Sequence, residues 1–311
     1  MVEILEKFAT KHNIIAGVCH AAPLQRARLP NPLSVVPFVS NDEKKRTEPE
    51  AHLRGVKSII VIGAGYAQSG SEQSPASAHL SSLGINDDYH VRLRGLLKEL
   101  AEELKPCGDF KYKILADSPT LDERALAHRA GLGFFGRNGL IISQKFGSRF
   151  NIGCLLTTLP LPEEFSEKNF RINHFESANQ PAAKVPKTSC PPDCNLCISA
   201  CPTGALQRDK NGLNAARCIS YLTQKNEISP QEEKLIGQQL YGCDICQNVC
   251  PFNAPAPQAM YVNPEEWLEM SDNDFERKYG HTAMMWRGTE ILRRNARIVR
   301  KNICPSYCDT D

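Results

Sequence analysis

Between residues 57 and 159 short apolar runs alternate with segments whose apolar positions recur every three or four residues. Lys57-Ser-Ile-Ile-Val-Ile-Gly-Ala64 is a continuous branched run, which reads as a buried strand. From Asp88 to Lys105, the residues Val91, Leu93, Leu96, Leu97, Leu100 and Leu104 fall at helical spacing until Pro106. Phe110–Ala116 is the next strand. Ser118-Pro119, followed by Asp122 and Glu123, then predicts a helix capped by Ser118 that ends near Gly131. Leu140–Ser143 and Asn151–Leu159 are further strands. Strands alternating with helices predict an α/β (α+β) domain over residues 1–165.

Beyond it, residues 166–189 are polar and read as a connection. Residues 190–255 form a cysteine-rich module with helices over Ala215–Lys225 and Gln231–Tyr241. Residues 256–311 form a helical C-terminal segment, with one helix starting at Ser271 and another over Arg287–Asn302.

The cysteines change the picture most. Cys190-x3-Cys194-x2-Cys197-x3-Cys201-Pro202 is followed by Cys218 and by Cys243-x2-Cys246-x3-Cys250-Pro251. Two runs each closed by Cys-Pro are the pattern of a pair of [4Fe-4S] clusters, in which the last cysteine of a run ligates the other run's cluster. Cys190, Cys194, Cys197 and Cys250 then hold one cluster, and Cys201, Cys218, Cys243 and Cys246 the other. The first gap has three residues, Pro191-Pro192-Asp193, where two are usual. Zinc sites also use Cys-x2-Cys pairs but do not need the Cys-Pro ending. Disulfides need an oxidising compartment, and Met1–Asn13 has no signal-peptide pattern. Five further cysteines (Cys19, Cys107, Cys154, Cys304 and Cys308) read as buried or tail residues. Hydrophobic content of 41%, charged content of 23% and a net charge of +2 are those of an ordinary globular chain, with no global attraction to nucleic acid. No apolar run approaches the roughly 18 residues of a membrane helix.

Several other stretches narrow the reading: Arg46-Thr-Glu-Pro-Glu50; Gly84-Ile-Asn-Asp-Asp-Tyr-His90; Ala116-Asp-Ser-Pro-Thr-Leu-Asp-Glu-Arg-Ala-Leu-Ala-His-Arg-Ala-Gly-Leu-Gly133; and Gly136-Arg-Asn138. To these add Cys201-Pro-Thr-Gly-Ala-Leu206, Cys218-Ile-Ser-Tyr-Leu-Thr223, Gly242-Cys-Asp-Ile-Cys-Gln-Asn-Val-Cys-Pro-Phe-Asn253 and Arg294-Asn-Ala296. Together they resemble the epoxyqueuosine reductase family, from about residue 45 to residue 302. The resemblance implies a cytoplasmic, cobalamin-dependent iron–sulfur oxidoreductase, with an α/β cobalamin-binding domain joined to a double-cluster module. Such an enzyme reduces the epoxide of epoxyqueuosine in the anticodon loop of tRNA to queuosine and water. It further implies Asp117 as catalytic acid, and Asp88, Tyr89, His90, Ser118, Arg137 and Asn138 near the cobalamin. The expected partners are the tRNA anticodon arm and a low-potential electron donor, with no membrane and a monomeric chain.

From the residues alone, Asp117 reads first as a helix-capping carboxylate, a preference that the resemblance reverses, and it would need burial or a nearby anion to raise its pKa for acid catalysis. His90 lies in Asp88-x-His90, but Leu93 replaces the glycine of the cobalt-ligating Asp-x-His-x-x-Gly pattern, so that pattern fails. Gly63-x-Gly65 lacks the third glycine of a dinucleotide fingerprint. Arg137 stands where the family usually has Lys, and Cys154 where an acidic residue is common. Arg287, Arg293, Arg294, Arg297, Arg300 and Lys301 oppose only Glu290. That stripe is either a solvated face or a phosphate-binding one, and a tRNA substrate favours phosphate contacts for Arg293, Arg294 and Arg297. Tyr261, Trp267 and Trp286 are stacking or core aromatics. The alternatives are a ferredoxin-like electron carrier or reductive activator of a corrinoid protein, and a cobalamin-dependent reductase with another substrate.

Overall fold

The computed structural model describes residues 1–25, 38–66, 77–161, 189–207, 212–253 and 260–303. Four strands form the main sheet in the order Ile15–His20, Ser58–Gly65, Phe150–Thr157, Tyr112–Ala116, and every neighbouring pair is antiparallel. Ser58–Gly65 is central, and its run is apolar throughout because both faces are covered. Ile60, Ile62 and Ala64 pack with Leu5 and Phe8 of helix Val2–Lys11 and with Leu93, Leu97 and Leu100 of helix Tyr89–Glu103. Ile59 and Val61 pack on the opposite face with Leu126 of helix Glu123–Arg129. The alternation of the strand thus divides one run between two cores.

The long helix starts where its pattern starts, with the Asp88 side chain accepting from the His90 N–H at 2.9 Å. The next helix does not. Ser118 is not its cap; Asp122 is, accepting from Ala125 N at 2.9 Å, and the helix begins at Glu123. The reason is Glu123 itself, whose carboxylate takes the N–H groups of Asp117 and Ser118 and folds residues 117–122 into a turn before the helix.

Two further expectations change. The segment expected as one helix over Gln231–Tyr241 breaks at Gly237, at φ 59°, into helix Pro230–Ile236 and strand Gln239–Tyr241. That strand pairs in parallel with Ala78–Leu80, which pairs on its other edge with Met260–Val262. Residues 78–80 therefore enter a core with Trp267, Phe275, Leu292, Ala296 and Val299 of the C-terminal helices. Over Ala215–Lys225 the chain forms a 3-10 turn, Ala215–Arg217, then helix Ile219–Leu222, with Cys218 between them. The C-terminal helices are Pro264–Glu269, Asp272–Tyr279 capped by Ser271, and Thr289–Ile303. Nearly all of the expected connection, together with Cys304 and Cys308, lies outside the described residues. Among the described residues no helix is long and apolar enough to cross a membrane.

Candidate functional site

Where strand Tyr112–Ala116 ends, Asp117 turns into the left-handed region at φ 54°, a conformation uncommon for a residue with a side chain. The Glu123 carboxylate holds it there, accepting from Asp117 N at 2.9 Å and from Ser118 N at 3.1 Å. Burial pushes the Glu123 carboxyl up to about 8 against the pull of those two N–H groups. The turn aims the Asp117 carboxyl at the start of helix Tyr89–Glu103. There the Tyr89 hydroxyl donates to it at 2.5 Å, and His90 Nε2 lies 3.3 Å away. His90 Nδ1 is 2.7 Å from Asp88, and the Tyr89 and His90 rings stack at 4.1 Å. Four of the residues singled out in the sequence, from two segments, thus share one hydrogen-bonded group.

Burial pushes the Asp117 carboxyl up, but the hydrogen bonds from His90 and Tyr89 outweigh it and hold the carboxyl below the ordinary aspartate value. The bond to Asp117 raises His90, burial opposes it, and Asp88 adds to the rise. Tyr89 is held up by burial and by the neighbouring Asp117 carboxylate. This reverses the expected direction for Asp117. These directions favour His90 over the carboxylate for a proton held by the pair, one hydrogen bond apart. The Asp117 side chain is 63% exposed, so a large substrate can reach it.

At the same mouth lies a group the sequence did not single out. The Tyr241 hydroxyl feels the charges of Asp117 and Asp88 and accepts from Trp286 Nε1 at 3.0 Å. Trp286 is 51% exposed, sits edge-on to Phe38 at 5.3 Å, and carries the Arg287 guanidinium 4.7 Å from its ring. Trp267, by contrast, is fully buried core.

The cysteine runs fold into two sets of thiols. Cys197 lies within electrostatic reach of Cys190, Cys194 and Cys250, while Cys243 and Cys246 neighbour Cys218, Cys243 and Cys218 also neighbour Cys201, and Cys246 reaches Cys197 across the two sets. All eight are free thiols. Burial pushes Cys197 up to about 11 and Cys243 up to about 12. Cys201 departs from this. Burial raises it too, but the N–H groups of Leu206, Thr203 and Ala205 and the Thr203 hydroxyl together bring it below the ordinary thiol value. Among the described residues no three His, Cys, Asp or Glu converge tightly enough for a single metal ion. Two sets of four thiols, each run lending its last cysteine to the other set, suit a pair of [4Fe-4S] clusters. Phe134, Ile142 and Phe252 pack around Cys190 and Cys250, so the first set is roofed by the hairpin of strands Phe134–Phe135 and Ile141–Ile142.

That hairpin relocates two expected cobalamin neighbours. Arg137 and Asn138 form its turn and line the cavity between Cys190, Cys194, Cys197 and Cys250. Neither belongs to the Asp117 group. Cys154 is fully buried beneath the sheet within reach of Glu123, where an acidic residue would face a second buried carboxyl. Cys154 therefore belongs to the core beside Glu123 and not to the Asp117 group.

The basic helix disperses its cations. Arg293 is paired with Asp272 at 2.7 Å and Glu290 at 3.4 Å, lies over Phe275, and is only 14% exposed. Arg294 donates to the Lys225 and Asn226 carbonyls and to Asn295. Arg297 stays exposed. Of the three expected phosphate contacts, two are held in place by the fold.

Residues 190–253 match the family model described as a 4Fe-4S double cluster binding domain, and residues 46–118 match that of epoxyqueuosine reductase QueG, DUF1730. The epoxyqueuosine reductase of Lactococcus garvieae is 37% identical over 275 residues, covering 83% of this chain and 72% of that protein. A crystal structure of selenomethionine-labelled epoxyqueuosine reductase superposes with a TM-score of 0.81 at 28% identity, covering 98% of this chain and 82% of that one. An epoxyqueuosine reductase crystallised with an epoxyqueuosine-modified tRNA-Tyr stem loop gives a TM-score of 0.80 at 27% identity, again covering 98% and 82%.

Proposed function

The chain belongs to the epoxyqueuosine reductase family, whose members are oxidoreductases, and from that premise we propose that it reduces epoxyqueuosine in the anticodon loop of tRNA, using cobalamin and two [4Fe-4S] clusters. Converting the epoxide to the alkene breaks both carbon–oxygen bonds, consumes two electrons and two protons, and releases the oxygen as water. The observation that carries the reading is the Asp88–Tyr89–His90–Asp117 group at an open mouth, in the same chain as two four-thiol sets.

Cys190, Cys194, Cys197 and Cys250 would hold one cluster and Cys201, Cys218, Cys243 and Cys246 the other, supplying one-electron carriers of low potential. Bound cobalamin would supply the two-electron reductant at carbon. Asp88, Tyr89, His90 and Asp117 would line its site, and His90 is committed there to hydrogen bonding, because both of its nitrogens already face carboxylates. Asp117 and His90 hold one proton between them, Tyr89 orients the carboxylate, and Asp88 retains the His90 ring. As negative charge develops on the epoxide oxygen, the proton passes from His90 through Asp117 to it, and the second proton is taken up by the pair from solvent at the open mouth before the oxygen leaves as water. Glu123 keeps Asp117 turned into the mouth. The exposed Trp286, backed by Arg287 and Phe38, offers a base a stacking surface beside the carboxyl.

The test uses anaerobically reconstituted protein, a low-potential reductant and epoxyqueuosine-containing tRNA, with digested nucleosides weighed with and without cobalamin. Loss of one oxygen only with cobalamin supports the proposal. Loss of none by cluster-loaded, cobalamin-loaded protein overturns it and favours another epoxide or halide substrate.

A further inference from the structure

The hairpin turn 136–139 carries two groups that the proton chemistry leaves unused, and both face the first thiol set. Asn138 is 5% exposed. Its Oδ1 accepts from Leu140 N at 3.2 Å, which fixes the orientation of the amide, and its Nδ2 is buried with no protein partner. A buried amide N–H left unpaired costs about 1–3 kcal/mol, so such groups mark a partner that completes them. Asn138 lines the cavity together with Cys190, Cys194, Cys197 and Cys250, whose sulfurs are acceptors in it.

Its neighbour serves the same cavity from outside. The Arg137 guanidinium donates to the Pro192 carbonyl at 2.6 Å and the Pro191 carbonyl at 3.4 Å. The Arg137 main-chain N–H is directed at the Cys190 sulfur. The three-residue gap after Cys190 thus has a specific anchor. Two prolines cannot donate from their own nitrogens, but both of their carbonyls accept from one guanidinium nitrogen, Arg137 Nη2.

We propose that the turn residues Arg137 and Asn138 govern the cluster held by Cys190, Cys194, Cys197 and Cys250: Asn138 donates a hydrogen bond to one of its sulfurs and raises its reduction potential, while Arg137 holds the Cys190 loop in register. A donor to sulfur stabilises the extra negative charge of the reduced cluster, so it favours the reduced form. This rests on the reading that the two thiol sets hold [4Fe-4S] clusters. Asn138 is a positioning and tuning residue; it touches no substrate.

The test is a redox titration of the anaerobically reconstituted full-length protein followed by EPR, comparing wild type with Asn138→Leu, a neutral change of similar size. Asn138→Ala serves as a second donor-free variant should the first fold poorly. The expected result is that one of the two reduction steps moves to lower potential and the other stays. A tenfold change in the oxidised-to-reduced ratio would read as about 59 mV for one electron. Iron content should remain that of wild type. Unmoved steps in a variant with full iron content would overturn the role of Asn138. Wild-type protein that binds no iron would instead overturn the cluster reading itself. For the loop, Arg137→Ala, which removes the donor, should make the signal of one cluster broaden or decay on dilution in chelator while the other persists, and equal persistence of both would refute the anchoring role.

Discussion

At Asp117, four side chains meet through short hydrogen bonds in a mouth that stays open, with the carboxyl 63% exposed. Around Cys243 and Cys246 the balance falls the other way: burial prevails and pushes both thiols up. On the proposed function, the difference follows from what each end would handle. A proton donor must exchange with a substrate larger than the cleft, so its geometry is held by hydrogen bonds that survive exposure. Electron carriers must keep water out, so their ligands are held by packing and short backbone turns. Glu123 shows the cost of joining the two styles: a buried carboxyl spends its acceptors on keeping one exposed aspartate in a left-handed turn.

The comparison can be broken most forcefully at the thiol end. Cys246→Ser should abolish the absorbance of one cluster and reduce turnover below detection, while tRNA binding persists; iron analysis with a gel-shift assay checks both. At the acid end, His90→Asn should lower turnover by about 10²-fold or more, the range of general acid catalysis, and leave iron content unchanged. Its pH–rate profile should also shift. In wild type the proton-loaded form is lost as pH rises through the raised His90 value. Without His90 the proton must sit on the carboxyl, so the alkaline limb should move to lower pH.

The same pair links to stability. Because His90 is raised, its contribution is full below its unfolded value of about 6.5 and is lost as pH rises through the folded one. Because Asp117 is lowered, its contribution is present above about 3.9 and is lost as pH falls through its folded value. Thermal denaturation of His90→Asn should therefore differ most from wild type between those limits.

Smaller effects come from the rim. Trp286→Ala should weaken binding of an anticodon stem loop by about 1–3 kcal/mol, the value of one base–aromatic stack, without changing cluster absorbance. Smallest of all, Arg297→Gln should reduce the salt slope of tRNA binding by about 1. Arg293→Gln should leave that slope alone and lower the melting temperature, because its partners are Asp272 and Glu290.

The sequence carries these features unevenly. The two cysteine runs are legible because ligand spacing is itself the chemistry, and the central strand because both its faces are covered. The meeting of Asp88, Tyr89 and His90 with Asp117 is only half legible: each segment stands out, but their contact spans 28 residues and depends on a turn that Glu123 imposes. Ser118 reads as a cap since Ser-Pro is a good helix start, but its hydroxyl is engaged with Thr120 while Asp122 takes the capping bond from Ala125 N. The basic helix misleads for a related reason. Charge counted along a chain takes no account of carbonyls and carboxylates that folding brings to it, and Arg294 ends on the carbonyls of Lys225 and Asn226. Trp286 is exposed and Trp267 buried, and nothing local separates them.

The most direct test of the central claim is a single-turnover reaction of the cluster- and cobalamin-loaded Asp117→Asn protein on epoxyqueuosine-containing tRNA, with the wild type in parallel. The expected result is unchanged cluster absorbance and tRNA binding, with loss of one oxygen seen in wild type and absent from the variant. Oxygen loss by the variant at the wild-type rate would contradict the assignment of the proton to the Asp117–His90 pair.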